Sequence, residues 1–158
     1  MNDINKPSSP DNLGGLERFW YIPVDDITSI GPVINGKVSI TLSSGKKWYE
    51  FYASQGSINF KEAKKIDGKG ETFTLKLSGF TPRDSEDLFE SFMLMSKQKF
   101  ACVYLDNNGN HKIVGSPREP LRFSYEFSPG KNPSNRNGYD FSFSRQTKSR
   151  SLFVSNFS

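Results

Sequence analysis

Between residues 72 and 78 the chain alternates without a break, Phe73, Leu75 and Leu77 standing between Thr72, Thr74, Lys76 and Ser78. A side-chain period of two sends one set to each face of an extended strand, so this segment predicts a strand with one buried and one solvated face. The pattern returns in Val38, Ile40 and Leu42, in Leu121, Phe123, Tyr125 and Phe127, and in Tyr139, Phe141 and Phe143. Repeated alternation of this kind is what antiparallel sheets with one wet face require. The chain is therefore expected to be mainly β, either a β-barrel or two packed antiparallel sheets.

Turn signals separate these runs. Gly31-Pro32, Asn35-Gly36, Ser44-Gly45, Gly68 with Gly70, and Pro129-Gly130 punctuate the sequence. Trp48, Tyr49, Phe51 and Tyr52 make a further strand, and Ile58, Phe60 and Ile66 extend another. The run Phe19, Trp20, Tyr21, Ile22 and Val24 contains Pro23, which confines it to a strand end or an edge. Asn108-Gly109 lies between two apolar runs, residues 100–105 and 112–114, and predicts a hairpin whose tip needs positive backbone dihedrals.

One segment departs from this texture. Thr81 can cap free amides, Pro82 fits a first helical turn and Asp84 opposes the positive end of the helix dipole. Leu88, Phe92 and Met95, with Phe89 and Met93 beside them, follow at helical spacing. A single flanking helix is predicted over residues 83–97, with Leu88, Phe89 and Phe92 among its contacts to the sheet.

Hydrophobic residues are only 34% of the 158, but aromatic residues reach 14%, with fourteen Phe, six Tyr and two Trp. Each ring buries roughly 150–250 Å². Rings can thus supply the core that the aliphatic count leaves short. The length fits one domain, expected over residues 16–158. Residues 1–15, with Pro7, Ser8, Ser9, Pro10, Gly14 and Gly15, read as a flexible arm. The polar loop of residues 130–138 reads as a second mobile segment.

No apolar run reaches the roughly 18 residues a membrane span needs, and the amino terminus has no charged-then-apolar signal, so the chain is expected to be made in a cytosol and to act without a membrane. Cys102 is the only cysteine, which excludes an internal disulfide and a four-cysteine zinc site; its apolar neighbours predict a buried, inert thiol. His111 follows a tight turn with no local nucleophile motif, and a general base needs one. In the segment of residues 106–110, Asp106, Asn108 and Asn110 alternate like calcium ligands, but His111 stands where the glycine belongs and the distant acidic ligand is missing. Asp25 and Asp26 are adjacent, so on an extended chain they point apart. No catalytic, cofactor or metal site is expected. The net charge of +4 rests partly on Lys61, Lys64, Lys65 and Lys69 and on Arg145, Lys148 and Arg150, which read as a solvated strand face and a polar turn.

From Phe100 onward the order is strand, Asp-Asn-Asn-Gly turn, strand ending Ile113-Val114-Gly115, a proline corner before Leu121, a long strand, a Gly-to-Asn-Gly loop and a final strand pair. With Gly14-Gly15-Leu16, Val24-Asp25-Asp26-Ile27, Trp48-Tyr49 and the hairpin of residues 57–77, this resembles small tail-tube or tail-associated proteins of bacteriophages and prophages, particularly of Bacteroidetes hosts. The resemblance implies a flanking helix on a β-barrel or packed sheets, related to the tube subunits of contractile tails and type VI secretion. It implies self-assembly into six-membered rings that stack, a place in the virion tail after synthesis in a bacterial cytoplasm, other tail proteins as partners, and nucleic acid only as DNA passing through a channel. The arm and the loop would then gain order against neighbouring copies. Outside that family, the competing reading is a monomeric β-barrel module for single-stranded nucleic acid or carbohydrate, with Trp48, Tyr49 and Tyr52 near Lys46 and Lys47 as its contacts.

Overall fold

Phe100, Ala101, Cys102, Val103 and Tyr104 follow one another with no polar residue between them, and all five are buried. Such a run suits only a strand covered on both faces. In the computed structural model, which describes residues 1–6, 12–155 and 157, it occupies the middle of the molecule. Pro7, Ser8, Ser9 and Pro10 of the expected arm lie outside the described residues.

The elements are β1 (Leu16–Pro23), a 3-10 turn (Val24–Asp26), β2 (Ile27–Ile30), β3 (Lys37–Val38), β4 (Ile40–Leu42), β5 (Tyr49–Phe51), β6 (Asn59–Asp67), β7 (Gly70–Pro82), α1 (Glu86–Met95), β8 (Lys99–Asp106), β9 (His111–Val114), β10 (Leu121–Ser128), β11 (Gly138–Thr147) and β12 (Leu152–Val154). One edge of β8 pairs with β1; the other pairs first with β10 and then with β9. From β10 the sheet continues through β11 and β7 to β6, and from β9 through β12 to β3; β5 adds to β1, while β2 and β4 form a separate pair. Among the described residues all strand pairs are antiparallel except β12 with β3. Among the described residues the sheet packs on itself without closing into a barrel, and one helix flanks it.

Alternation along β8 divides the interior in two. Phe100, Cys102 and Tyr104 join a cluster with Phe19, Phe51, Phe92, Phe123, Phe141 and Phe143, while Ala101 and Val103 join Ile22, Val24, Ile27, Val38, Ile40 and Ile113. The first cluster is built of rings, as the composition suggested: Phe51 lies 4.4 Å from Phe141 and 5.1 Å from Phe19 between centroids. Gly79 is required there, because a Cβ would stand 2.8 Å from the Phe141 ring that crosses it.

The helix begins later than the sequence suggested. Thr81 and Pro82 finish β7, held to β11 by Tyr139 and Gly138, and the buried Thr81 hydroxyl donates to the Tyr52 carbonyl at 2.9 Å. A long ladder outweighs a local capping preference. Arg83 then turns the chain with φ 68°, and Ser85 is the cap, its Oγ accepting from Leu88 N at 3.1 Å. Phe92 and Met95 are buried and Leu88 packs beside them, but Phe89 faces out and is 51% exposed.

The two Asn-Gly pairs make different turns. At Asn35-Gly36 both residues are left-handed (φ 52° and 77°) between mutually bonded Ile34 and Lys37, as a two-residue hairpin loop demands. At Asn108-Gly109 only Gly109 is, with φ 84°. There Gly109 N donates to Asp106 O, and Asp106 Oδ1 accepts from the amides of Asn108 and Asn110 at 2.9 Å each, which keeps Asn108 in ordinary backbone space.

Two stability outcomes follow. Phe92 is 2% exposed and meets Phe51, Phe123, Tyr125 and Tyr139, so Phe92→Ala is expected to cost about 3–5 kcal/mol in urea unfolding. Gly109→Val places a β-branched residue at positive φ and is expected to cost on the order of 1–2 kcal/mol, lowering the melting temperature by about 2–4 °C for each kcal/mol. An unchanged melting curve would reject the turn geometry.

Candidate assembly surface

β10, β11, β7 and β6 form a four-stranded antiparallel block, the β7 and β11 pairing running unbroken from Phe73 with Thr147 to Pro82 with Gly138. Among the described residues no strand pairs with the outer edge of β6, and none pairs with β10 beyond Arg122 on the side away from β11. The block thus ends in two open edges. Because each strand reverses its neighbour, β6 and β10 run in opposite directions.

The outer face of this block is polar and regular. Ser124, Ser142, Ser78 and Asn59 fall in one cross-strand row. The next row holds Arg122, Ser144, Lys76 and Lys61, and Lys99 of β8 extends it beyond Arg122. On the other side of the serine row, Glu126 and Asp140 stand beside Phe80, whose ring Arg136 covers at 4.2 Å while reaching Asp140 at 3.6 Å.

The segments expected to be mobile have partners within one copy. Leu13 N donates to Asn108 Oδ1 and Asn108 Nδ2 to Leu13 O, both at 3.0 Å, while Asn107 Nδ2 donates to Gly14 O at 2.6 Å. The base of the arm is therefore tied to the hairpin tip, and residues 1–6 are exposed. In the loop of residues 130–138, Asn135 Oδ1 accepts from the amides of Lys131 and Asn132, and Asn137 O accepts from Arg83 N at 2.8 Å.

The three rings of the competing reading do not share a platform. Trp48 meets Phe157, which also meets Trp20, whereas Tyr49 meets Tyr21 on the opposite face of β1. Tyr52 projects into solvent, Lys47 lies over Tyr49 and Lys46 pairs with Asp26 at 3.2 Å. His111 sits beside the Trp20 and Phe157 rings, which also touch each other. Burial pushes the Cys102 thiol well above its ordinary pKa. Of the basic runs, Lys64 pairs with Glu71, Arg145 donates to Pro120 O and Arg150 reaches Glu62. The cations that do gather, Lys99, Arg122, Lys76 and Lys61, come from four strands. Of the four, Lys61 alone belongs to one of those basic runs.

Tyr139 links this block to the helix: its hydroxyl donates to Asp84 Oδ1 at 2.6 Å. Burial, with Asp84 adding to it, raises its pKa to about 12, and burial raises Tyr104 similarly. An unfolded tyrosine titrates near about 10. Both rings thus favour the fold below about pH 10 and lose that contribution as pH climbs toward 12. Thermal melts are expected to show falling stability across that window, and Tyr139→Phe is expected to flatten part of the fall. An identical slope in the variant would remove Tyr139 as a cause.

Comparison with protein-family models, with curated proteins and with solved structures finds no match to this chain.

Proposed function

We propose that the chain is a non-enzymatic structural subunit of a phage or prophage tail, or of a related injection apparatus, and that it acts by joining copies of itself head to tail into a ring. The observation that carries this reading is the pair of open edges on one block, β6 at one end and β10 at the other. Unpaired edges are a hazard to a monomer and a template for another chain.

Their directions suit each other. When one copy is rotated about an axis beside the block, its β10 meets the β6 of the next copy antiparallel, and the ladder continues unchanged. A contact between two different surfaces closes into a ring when the rotation divides the circle; the family resemblance suggests six copies. A second surface supports association: Phe89, Met93 and Leu94 leave an apolar strip on the outer side of α1. Other tail proteins or stacked rings are suitable partners for it.

Cysteine pairing tests the contact directly, since Cys102 is buried and silent. One set of variants carries Lys61→Cys, Ala63→Cys or Lys65→Cys on β6, the other Ser124→Cys or Glu126→Cys on β10. Mixed under mild oxidation, a β6 variant and a β10 variant are expected to form a cross-linked pair, while neither does so alone. Sedimentation velocity and electron microscopy of the unmodified chain are expected to show rings as concentration rises. A chain that stays monomeric at every concentration, or homodimers that form as readily as mixed ones, would overturn the head-to-tail ring.

A further inference from the structure

The register of five neighbouring strands places Lys99, Arg122, Ser144, Lys76 and Lys61 side by side, four cations in five positions. All four cations are exposed, and among the described residues none has an ion-pair partner. Lys99 stands directly opposite Arg122, and Lys76 directly opposite Lys61. Like charges so placed oppose sheet formation. The fold gains nothing from them.

We propose that this row is a binding strip for the phosphate backbone of a nucleic acid. At a strand spacing of about 4.8 Å the row spans about 19 Å, the rise of roughly five or six nucleotides of one duplex strand. The adjoining row of Ser124, Ser142, Ser78 and Asn59 supplies hydroxyl and amide donors, the groups that accompany Lys and Arg at phosphates. An acidic protein partner suits the face less well. Protein interfaces centre on apolar and aromatic anchors, and these two rows present none. The strip lies on a single copy, so it does not depend on ring assembly.

The test measures binding of the full-length chain to a labelled single-stranded oligonucleotide and to the corresponding duplex over a range of salt. Four phosphate contacts predict that log K falls with log salt at a slope of about −3 to −4. The double variant Lys61→Gln, Lys76→Gln is expected to make the slope shallower by about 1.5 and to weaken binding roughly 30-fold at 0.1 M salt. Lys37→Gln, Lys131→Gln removes the same charge from other exposed surfaces and is expected to change little. Ser144→Glu, which sets one carboxylate in the middle of the row, repeats the test should the double variant fail to fold by circular dichroism. Absence of salt-dependent binding, equal losses in the row and control doubles, or a row double that loses copy-to-copy association while its oligonucleotide binding is unchanged would each overturn the proposal. Sedimentation of the same samples reads assembly separately, so a monomer that binds with the expected slope would sink the ring and leave the strip standing.

Discussion

Everything else in the molecule is arranged around a strand that has no free side. β8 is covered on both faces and paired on both edges, so its neighbours have little freedom in register. Moving β1 by one residue would exchange Phe19 and Tyr21 for Trp20 and Ile22 and put each set against the wrong cluster. On its other edge, β8 shares its length between β10 and β9. That division makes β10 leave the central strand after Arg122 and carry β11, β7 and β6 with it. The block with two open edges is a consequence of how β8 is shared.

The ring-rich core follows from the same constraint. β5 is only three residues long, yet Phe51 lies within 6.3 Å of Phe19, Tyr21, Phe92, Phe123, Phe141 and Phe143 between centroids. One large side chain from a short strand does what several aliphatic residues do elsewhere. It also fixes α1, whose Phe92 meets Phe51 from the other side.

Most strands were legible because period-two alternation is written in consecutive residues, as between Thr72 and Ser78. The helix start was not, because Thr81 and Pro82 carry local capping chemistry but are held by β11, more than fifty residues away in sequence. The Asn108-Gly109 hairpin is legible as a turn, while its backbone follows from the Asp106 carboxylate, which accepts from the amides of Asn108 and Asn110. The basic row shows the limit most clearly. Lys76 and Arg122 each look like the polar partner in an alternating strand, and only pairing across strands gathers them. Linear clusters such as Lys61, Lys64 and Lys65 stand out in the sequence, yet Lys64 pairs across the hairpin with Glu71.

Charge also discriminates between the ways open edges could meet on the proposed reading. Two β6 edges brought together about a two-fold axis at Ala63 would face Lys61 with Lys65 of the other copy, and like charges opposite each other are disfavoured. β10 instead presents Ser124 and Glu126 beyond Arg122, so a β6 lysine finds a hydroxyl or a carboxylate there. Lysine on an edge strand is a common guard against indiscriminate pairing. Here it opposes the two-fold contact through β6, which would end growth at a dimer, and leaves open the head-to-tail contact, which can close a ring.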